Sequence, residues 1–370
     1  MIYLDYAANT PVNKKVLDAF NNATIAYFGN PNSLHENGNE AKKKIDEASQ
    51  IIADYFHTKK ENIIYTSGSS ESNNLVIKGI ADRYKKEGKH IIISAIEHSS
   101  IIAPCNYLAS NGFEITVIPL LSNGMIDIEA LKKALREDTI LVSISTVDPE
   151  LGTIEPIQEI AEILKDYPNT YFHTDATGAI GKIKMDYKGI DFLTFAPHKF
   201  YGLNGSGVLI NFNDIKITPL IHGGKSTTIY RGGTPVTANI IATSIALQEA
   251  TKKLDDNIKY INSLKNGLIN NLKKINGVHI NTPSNSIPNI VNFSINNADE
   301  IVKKLSDKKI YVSTKTACSS KNAPSKSVLA VTKDLNLAKN SIRVSLSHLT
   351  TKEEIDIFLK ELTEVINENN

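Results

Sequence analysis

Tyr171-Phe172-His173-Thr174-Asp175 and Asp191-Phe192-Leu193-Thr194-Phe195-Ala196-Pro197-His198-Lys199 are the two stretches that decide how this chain folds. Each contains an apolar run of strand length. The first ends on an acid and the second leads into His198-Lys199. Segments 62–66, 90–95, 113–119, 139–146 and 206–212 share their character, being rich in Ile, Val, Phe and Tyr and continuous in hydrophobicity. Strands buried on both faces read this way. Amphipathic helical patterns at 70–86, 99–110, 126–136 and 156–165 separate several of them. Such alternation predicts an α/β domain around a mostly parallel seven-stranded sheet flanked by helices, with ligands at the carboxyl ends of the strands. Asp175 and Lys199 fall at two such ends.

A long helical stretch over 238–275 leads into a smaller α+β region. There 279–281, 289–295, 311–316 and 342–347 read as strands, and 298–306 and 352–368 as helices. The domain division is placed at 13–245 for the large domain, with 1–12 and 246–370 making the smaller one.

Composition excludes several classes. The chain has 370 residues, 41% hydrophobic and 22% charged, as in ordinary soluble globular proteins. Its 41 basic and 40 acidic residues leave a net charge of +1, so no single-sign field recruits nucleic acid or an anionic membrane. No run approaches a membrane span, and the opening residues carry no basic, apolar signal pattern. Two cysteines, Cys105 and Cys318, make no disulfide framework, and a cytoplasmic setting is expected. No histidine, cysteine and carboxylate spacing suggests a metal site.

A carboxylate and a lysine on neighbouring strand ends suit pyridoxal phosphate chemistry. Lys199 makes the Schiff base, and Asp175 keeps the pyridine nitrogen protonated so that the ring accepts electrons. The alternative is a helix cap at Asp175 and a surface lysine at 199, which the other motifs outweigh. Tyr65-Thr66-Ser67-Gly68-Ser69-Ser70-Glu71-Ser72-Asn73-Asn74 is a strand end, a small-residue turn and a helix start, where free N–H groups and the serine hydroxyls form a phosphate cradle or a plain N-cap. His98 follows a strand end, placed to stack on a ring and move protons, although a lone histidine is more often structural. Arg343, on a late strand, either grips a substrate carboxylate or forms an ordinary ion pair. Cys318, on a polar loop between Lys315 and Lys321, is a candidate reactive thiolate, whereas Cys105 in an apolar helix is inert.

Taken in order, these segments resemble the cysteine desulfurases of the class V aminotransferase group, pyridoxal-phosphate enzymes of fold-type I. The resemblance also takes in Tyr3-Leu4-Asp5-Tyr6-Ala7-Ala8-Asn9-Thr10-Pro11, Gly29-Asn30-Pro31-Asn32-Ser33, His222-Gly223-Gly224, Arg231-Gly232-Gly233-Thr234-Pro235 and Ala317-Cys318-Ser319. It implies catalytic roles for Lys199, Cys318 and His98. It implies cofactor contacts from Ser69, Ser70, His98, Asp175, His198, Lys199 and, across a homodimer, Thr234. Substrate contacts fall to Arg343 and Asn30. The implied reaction removes sulfur from L-cysteine, giving alanine and a persulfide on Cys318. That sulfur would go to an acceptor protein of iron–sulfur cluster assembly or tRNA thiolation. A selenocysteine lyase, an aminotransferase of the same group and a catalytically weakened dimeric interaction protein are the alternatives.

The chain departs from the family pattern in four places. Asp148-Pro149 stands where two asparagines are usual, Gly178 replaces a glutamine, Ala196 replaces a serine, and Lys225-Ser226-Thr227-Thr228 replaces Gln-Glu-Arg. Loss of one neutral hydrogen bond costs about 0.5–1.5 kcal/mol, a loss that cofactor binding survives.

Overall fold

Residues 1–225, 227–314 and 323–368 are described by the structure, a computed structural model. The chain opens with a two-residue strand, Ile2–Tyr3 (β1), and two helices, Lys14–Ala26 and Glu36–Tyr55. Seven strands then build the central sheet: Ile63–Thr66 (β2), His90–Ser94 (β3), Glu114–Ile118 (β4), Thr139–Ser143 (β5), Tyr171–Asp175 (β6), Phe192–Phe195 (β7) and Gly207–Asn211 (β8). Their order across the sheet is β2-β8-β7-β6-β5-β3-β4. Only β8 runs against its neighbours, being antiparallel to both β2 and β7. The remaining pairings are parallel. This is the mostly parallel seven-stranded sheet that the sequence predicts.

The alternation of side chains across the sheet divides the core between its two faces. Ile92, Val142, Phe172 and Leu193 pack on one side with Ile52, Ile157, Ile160 and Ala246. Ile91, Ile93, Leu141 and Phe192 pack on the other with Leu75, Val76 and Ile80 from helix Ser69–Tyr84. Apolar faces on both sides explain why the inner strands read as continuous hydrophobic runs, whereas β4, at the sheet edge, is partly exposed.

A second apolar body forms around a three-stranded antiparallel sheet of His279–Ile280 (β9), Ile290–Ser294 (β10) and Ser341–Ser345 (β12), with Ile310–Tyr311 (β11) pairing in parallel with β1. Ile2 and Leu4 join Val291, Phe293, Ile342, Phe358 and Leu362 there. The opening residues thus pack with the end of the chain.

The helical stretch expected over 238–275 is two helices, Thr237–Thr251 and Leu254–Leu272, broken at Lys252-Lys253. Ala242, Ala246 and Leu247 of the first belong to the large sheet's core, whereas Ile261, Leu264 and Leu268 of the second belong to the smaller core. One straight helix could not serve both bodies, so the break falls where the chain passes between them. Helices Lys14–Ala26 and Glu36–Tyr55 were not anticipated from the sequence. The second buries Ala41, Ile45, Ala48 and Ile52, a helical spacing diluted by many polar neighbours. No helix among the described residues is long and apolar enough to cross a membrane.

Candidate active site

The carboxyl ends of the parallel strands converge on one cavity of about 280 Å³. Asp175 closes β6, and Lys199 lies in the turn Pro197–Lys199 just after β7. Pro197 starts that turn with φ already fixed, and Phe200 and Gly202 donate their N–H groups back to its carbonyl. His98 stands at the N-cap of helix Ser99–Ala109, past the end of β3. Ser69 and Ser70 begin helix Ser69–Tyr84 after β2. The turn before this helix is pressed tight against β8. A Cβ on Gly207 would come within 2.3 Å of the Gly68 carbonyl carbon, so only glycine permits the approach. Ser69, Ser70, His98, Asp175, His198, Lys199 and Arg343 all line the cavity.

Asp175 is held firmly. Its Oδ2 accepts from Asn73 Nδ2 at 2.7 Å and its Oδ1 from the Thr177 N–H at 2.9 Å. Asn73, fully buried on helix Ser69–Tyr84, also donates to Ser100 Oγ at 2.9 Å. Ser100 Oγ in turn lies 2.8 Å from His98 Nδ1, so the acid and the ring are oriented by one chain of hydrogen bonds. Burial lowers the proton affinity of His98, with Asp175 opposing and Lys199 reinforcing the shift. His198 is pushed down to about 4 by burial, then by Lys199 and Lys182. All of these favour the neutral imidazole.

Lys199 Nζ donates to the carbonyl oxygens of Ala7 at 2.8 Å and Ala8 at 2.6 Å. The opening segment reaches this turn again through Thr10, whose Oγ1 donates to the His198 carbonyl at 2.8 Å and accepts from the Tyr201 N–H at 2.7 Å. Arg343, from β12 and only 2% exposed, donates from Nη2 to Asp5 Oδ1 and from Nη1 to the Pro149 carbonyl, both at 2.9 Å. Its Nε–H is buried without a partner.

Buried carboxylates flank the cavity on the side of β5. Glu97, 4% exposed, accepts from Ser94 Oγ, Ser145 N–H and Ser145 Oγ, yet burial raises it to about 7. Asp148, raised to about 6 by burial and by Glu150, accepts from Ser327 Oγ at 2.6 Å and from the Leu151 N–H. Glu150 accepts from Ser325 Oγ. These contacts fasten helix Lys326–Thr332 to the loop carrying Pro149.

Two of the expected site residues lie away from the cavity. Asn30 is exposed in a turn, its Oδ1 accepting from the Asn32 N–H. Thr234 is exposed on the surface of the single chain. Cys318 lies outside the described residues. Cys105 is fully buried in helix Ser99–Ala109, and burial pushes its thiol up to about 12. Of the departures, Ala196 is fully buried, and Gly178 lines the cavity with no atom nearer than 3.4 Å to a Cβ built on it. Asn73, Asp5 and Thr177 lie within motifs legible in the sequence but carry no role of their own there, and Lys182 was not singled out at all. Lys182 lies in the run of turns that follows β6, and it lines the same cavity as Asp175 and Gly178.

Residues 2–358 match the model of the aminotransferase class-V family. This chain belongs to that family. A protein named cysteine desulfurase IscS from Dictyoglomus turgidum is 42% identical over 99% of this chain and 94% of its own length. Among solved structures, a NifS-like protein superposes with a TM-score of 0.93 at 33% identity, covering 99% of both chains. A structure described as SspA in complex with cysteine gives a TM-score of 0.80 at 31% identity, over 95% of this chain and all of that one.

The class V cofactor, pyridoxal 5'-phosphate, fits the residues present. An anchored acid, a ring-sized histidine, an amine and a helix N-terminus face one cavity, and the hydroxyl of Thr177 on its wall is buried without a partner.

Proposed function

We propose that the protein is a cysteine desulfurase that takes sulfur from L-cysteine and releases alanine. The observation that carries this reading is the meeting of Lys199, Asp175, His98 and Arg343 on one cavity. When bound, pyridoxal phosphate supplies an electron sink for the carbon skeleton of the substrate. Asp175, fixed by Asn73 and Thr177, holds the proton on the ring nitrogen. The helix N-terminus at Ser69 and Ser70 receives the phosphate. Lys199 moves the proton at the substrate α-carbon, and His98, whose proton affinity burial lowers, is placed to assist. Arg343 orients the α-carboxylate with donors left over from Asp5 and Pro149.

Cys318 then acts as the nucleophile. Its thiolate forms a bond to the substrate sulfur, the carbon–sulfur bond breaks, and the electron pair stays with the three-carbon fragment. Protonation of that fragment gives alanine, and the sulfur remains on Cys318 as a persulfide for an acceptor protein of iron–sulfur cluster assembly or tRNA thiolation. A cytoplasmic setting suits a mechanism that needs a reduced thiol. A division into a large and a smaller domain, drawn from the sequence at 13–245 against 1–12 and 246–370, is supported by the two apolar bodies, with the passage between them better placed at Lys252-Lys253 because Ala246 and Leu247 pack in the larger body. A homodimer is supported by the exposed segment around Thr234, with Ile229 and Val236 also exposed beside it. Thr234 and Asn30 would then act at the cavity of the neighbouring subunit or at its rim.

The test is product analysis with L-cysteine and a reductant. The wild type should release alanine and sulfide in equal amounts, and Cys318→Ser should release neither while retaining its cofactor absorbance. Turnover by Cys318→Ser at the wild-type rate would refute the thiol mechanism.

A further inference from the structure

The cavity holds a cation that the proposed mechanism leaves unused. Lys182 lines it together with Lys199 and Arg343, and among the described residues Asp175 is the one carboxylate on the wall. Asp175 is committed to Asn73 and Thr177. The Lys199 amine donates to Ala7 and Ala8, and two edges of the Arg343 guanidinium are taken by Asp5 and Pro149. Among the described residues, no carboxylate lies within ion-pair distance of Lys182.

The local backbone explains why this amine has room. Residues 176–183 form two successive turns, with Ile180 N–H donating to the Ala176 carbonyl and Ile183 N–H to that of Ala179, and Gly181 left-handed between them at φ +74°. Gly178 lines the same cavity as Lys182 and places no side chain in it. Lys182, Lys199, Ala7 and Ile290 also line a smaller neighbouring cavity, so both amines stand on the partition between the two.

We propose that Lys182 is a second carboxylate-binding residue, which pairs with the α-carboxylate of the amino-acid substrate beside Arg343. The inference rests on the reading of the site as one for an amino acid. Burial, then the like charges of Lys199 and Arg343, push the Lys182 amine down to about 7. An entering carboxylate relieves that repulsion and restores the proton. The phosphate is served elsewhere, at the N-terminus of helix Ser69–Tyr84, and the charges acting on Lys182 are those of Lys199 and Arg343.

The test uses the holo-protein and its cofactor absorbance as a binding signal. Wild type, Lys182→Met and Lys182→Arg are titrated with L-alanine against ethylamine, and with L-cysteine against cysteamine. Within each pair the amine is kept and the carboxylate removed. Lys182→Met should weaken both amino acids about tenfold or more, as loss of a charge-assisted hydrogen bond implies, and leave both amines unchanged. Lys182→Arg should restore most of the affinity, which also guards against a variant that merely misfolds. Equal weakening within a pair, no weakening, or a starting spectrum already altered in Lys182→Met would overturn the proposal. So would a wild-type spectrum indifferent to L-alanine. The alanine pair involves no sulfur chemistry. A wild type that binds L-alanine through Lys182 yet releases no sulfide would refute the desulfurase reading and leave this inference standing.

Discussion

Arg343 Nη2 lies 2.9 Å from Asp5 Oδ1, so the chain's last strand is paired with its opening segment across 338 residues of sequence. The same segment receives the Lys199 ammonium on the carbonyls of Ala7 and Ala8. Residues 5–10 are therefore the seam that sets the distance between the carboxylate clamp and the reactive amine. A displacement there would reach both groups at once.

Arg343→Ala should destabilise the fold by about 3 kcal/mol, the lower end for a buried pair that loses one partner, because Asp5 keeps some access to water. Asp5→Asn retains an amide oxygen as acceptor and should cost less than half as much. Urea unfolding of the two variants measures the difference. In kinetics, Arg343→Ala should raise KM for L-cysteine sharply, and Arg343→Lys should not rescue it, since a single ammonium cannot reach Asp5, Pro149 and a carboxylate together.

Glu97 should give the stability curve a distinct pH slope. Its ordinary value is 4.5, and burial holds the folded value near 7. Between those values the folded chain keeps a proton that the unfolded chain loses, so Glu97 favours folding at low pH and that benefit is lost as pH rises toward 7. Glu97→Gln removes the effect. Relative to wild type, the variant should therefore gain stability between pH 5 and pH 8, by up to about 3 kcal/mol, as read from urea midpoints at the two pH values. A constant difference between variant and wild type would contradict the assignment.

The two cysteines should separate cleanly in reactivity. Cys105 is fully buried and its thiol is pushed up to about 12, so it should resist thiol reagents at pH 8 until the protein unfolds. One fast-reacting thiol per chain, lost in Cys318→Ser and kept in Cys105→Ala, is the expected result. Cys105→Ser should cost about 1–3 kcal/mol through the hydroxyl placed among Leu75, Ile101 and Leu108.

Much of this arrangement was legible in the sequence, for physical reasons. Strands buried on both faces cannot disguise themselves, and the inner strands stood out as apolar runs; the edge strand β4, partly exposed, was visible through Ile115, Val117 and Ile118. Asp175 and Lys199 were visible because a charged residue at the end of such a run has few structural excuses. Helix Glu36–Tyr55 was hidden because its apolar positions are outnumbered by lysines, acids and amides. The break at Lys252-Lys253 was hidden because it answers to packing against two separate cores. Lys182 and Asn73 were passed over because their importance lies in what they face across the cavity, and Asp5 because its partner is at the other end of the chain.

The most direct test of the account is borohydride reduction of the holo-protein followed by peptide mass analysis. The pyridoxyl mass is expected on the peptide carrying Lys199, and should be absent in Lys199→Ala. A pyridoxyl label on Lys182 or on any other lysine, with Lys199 unmodified, would contradict it.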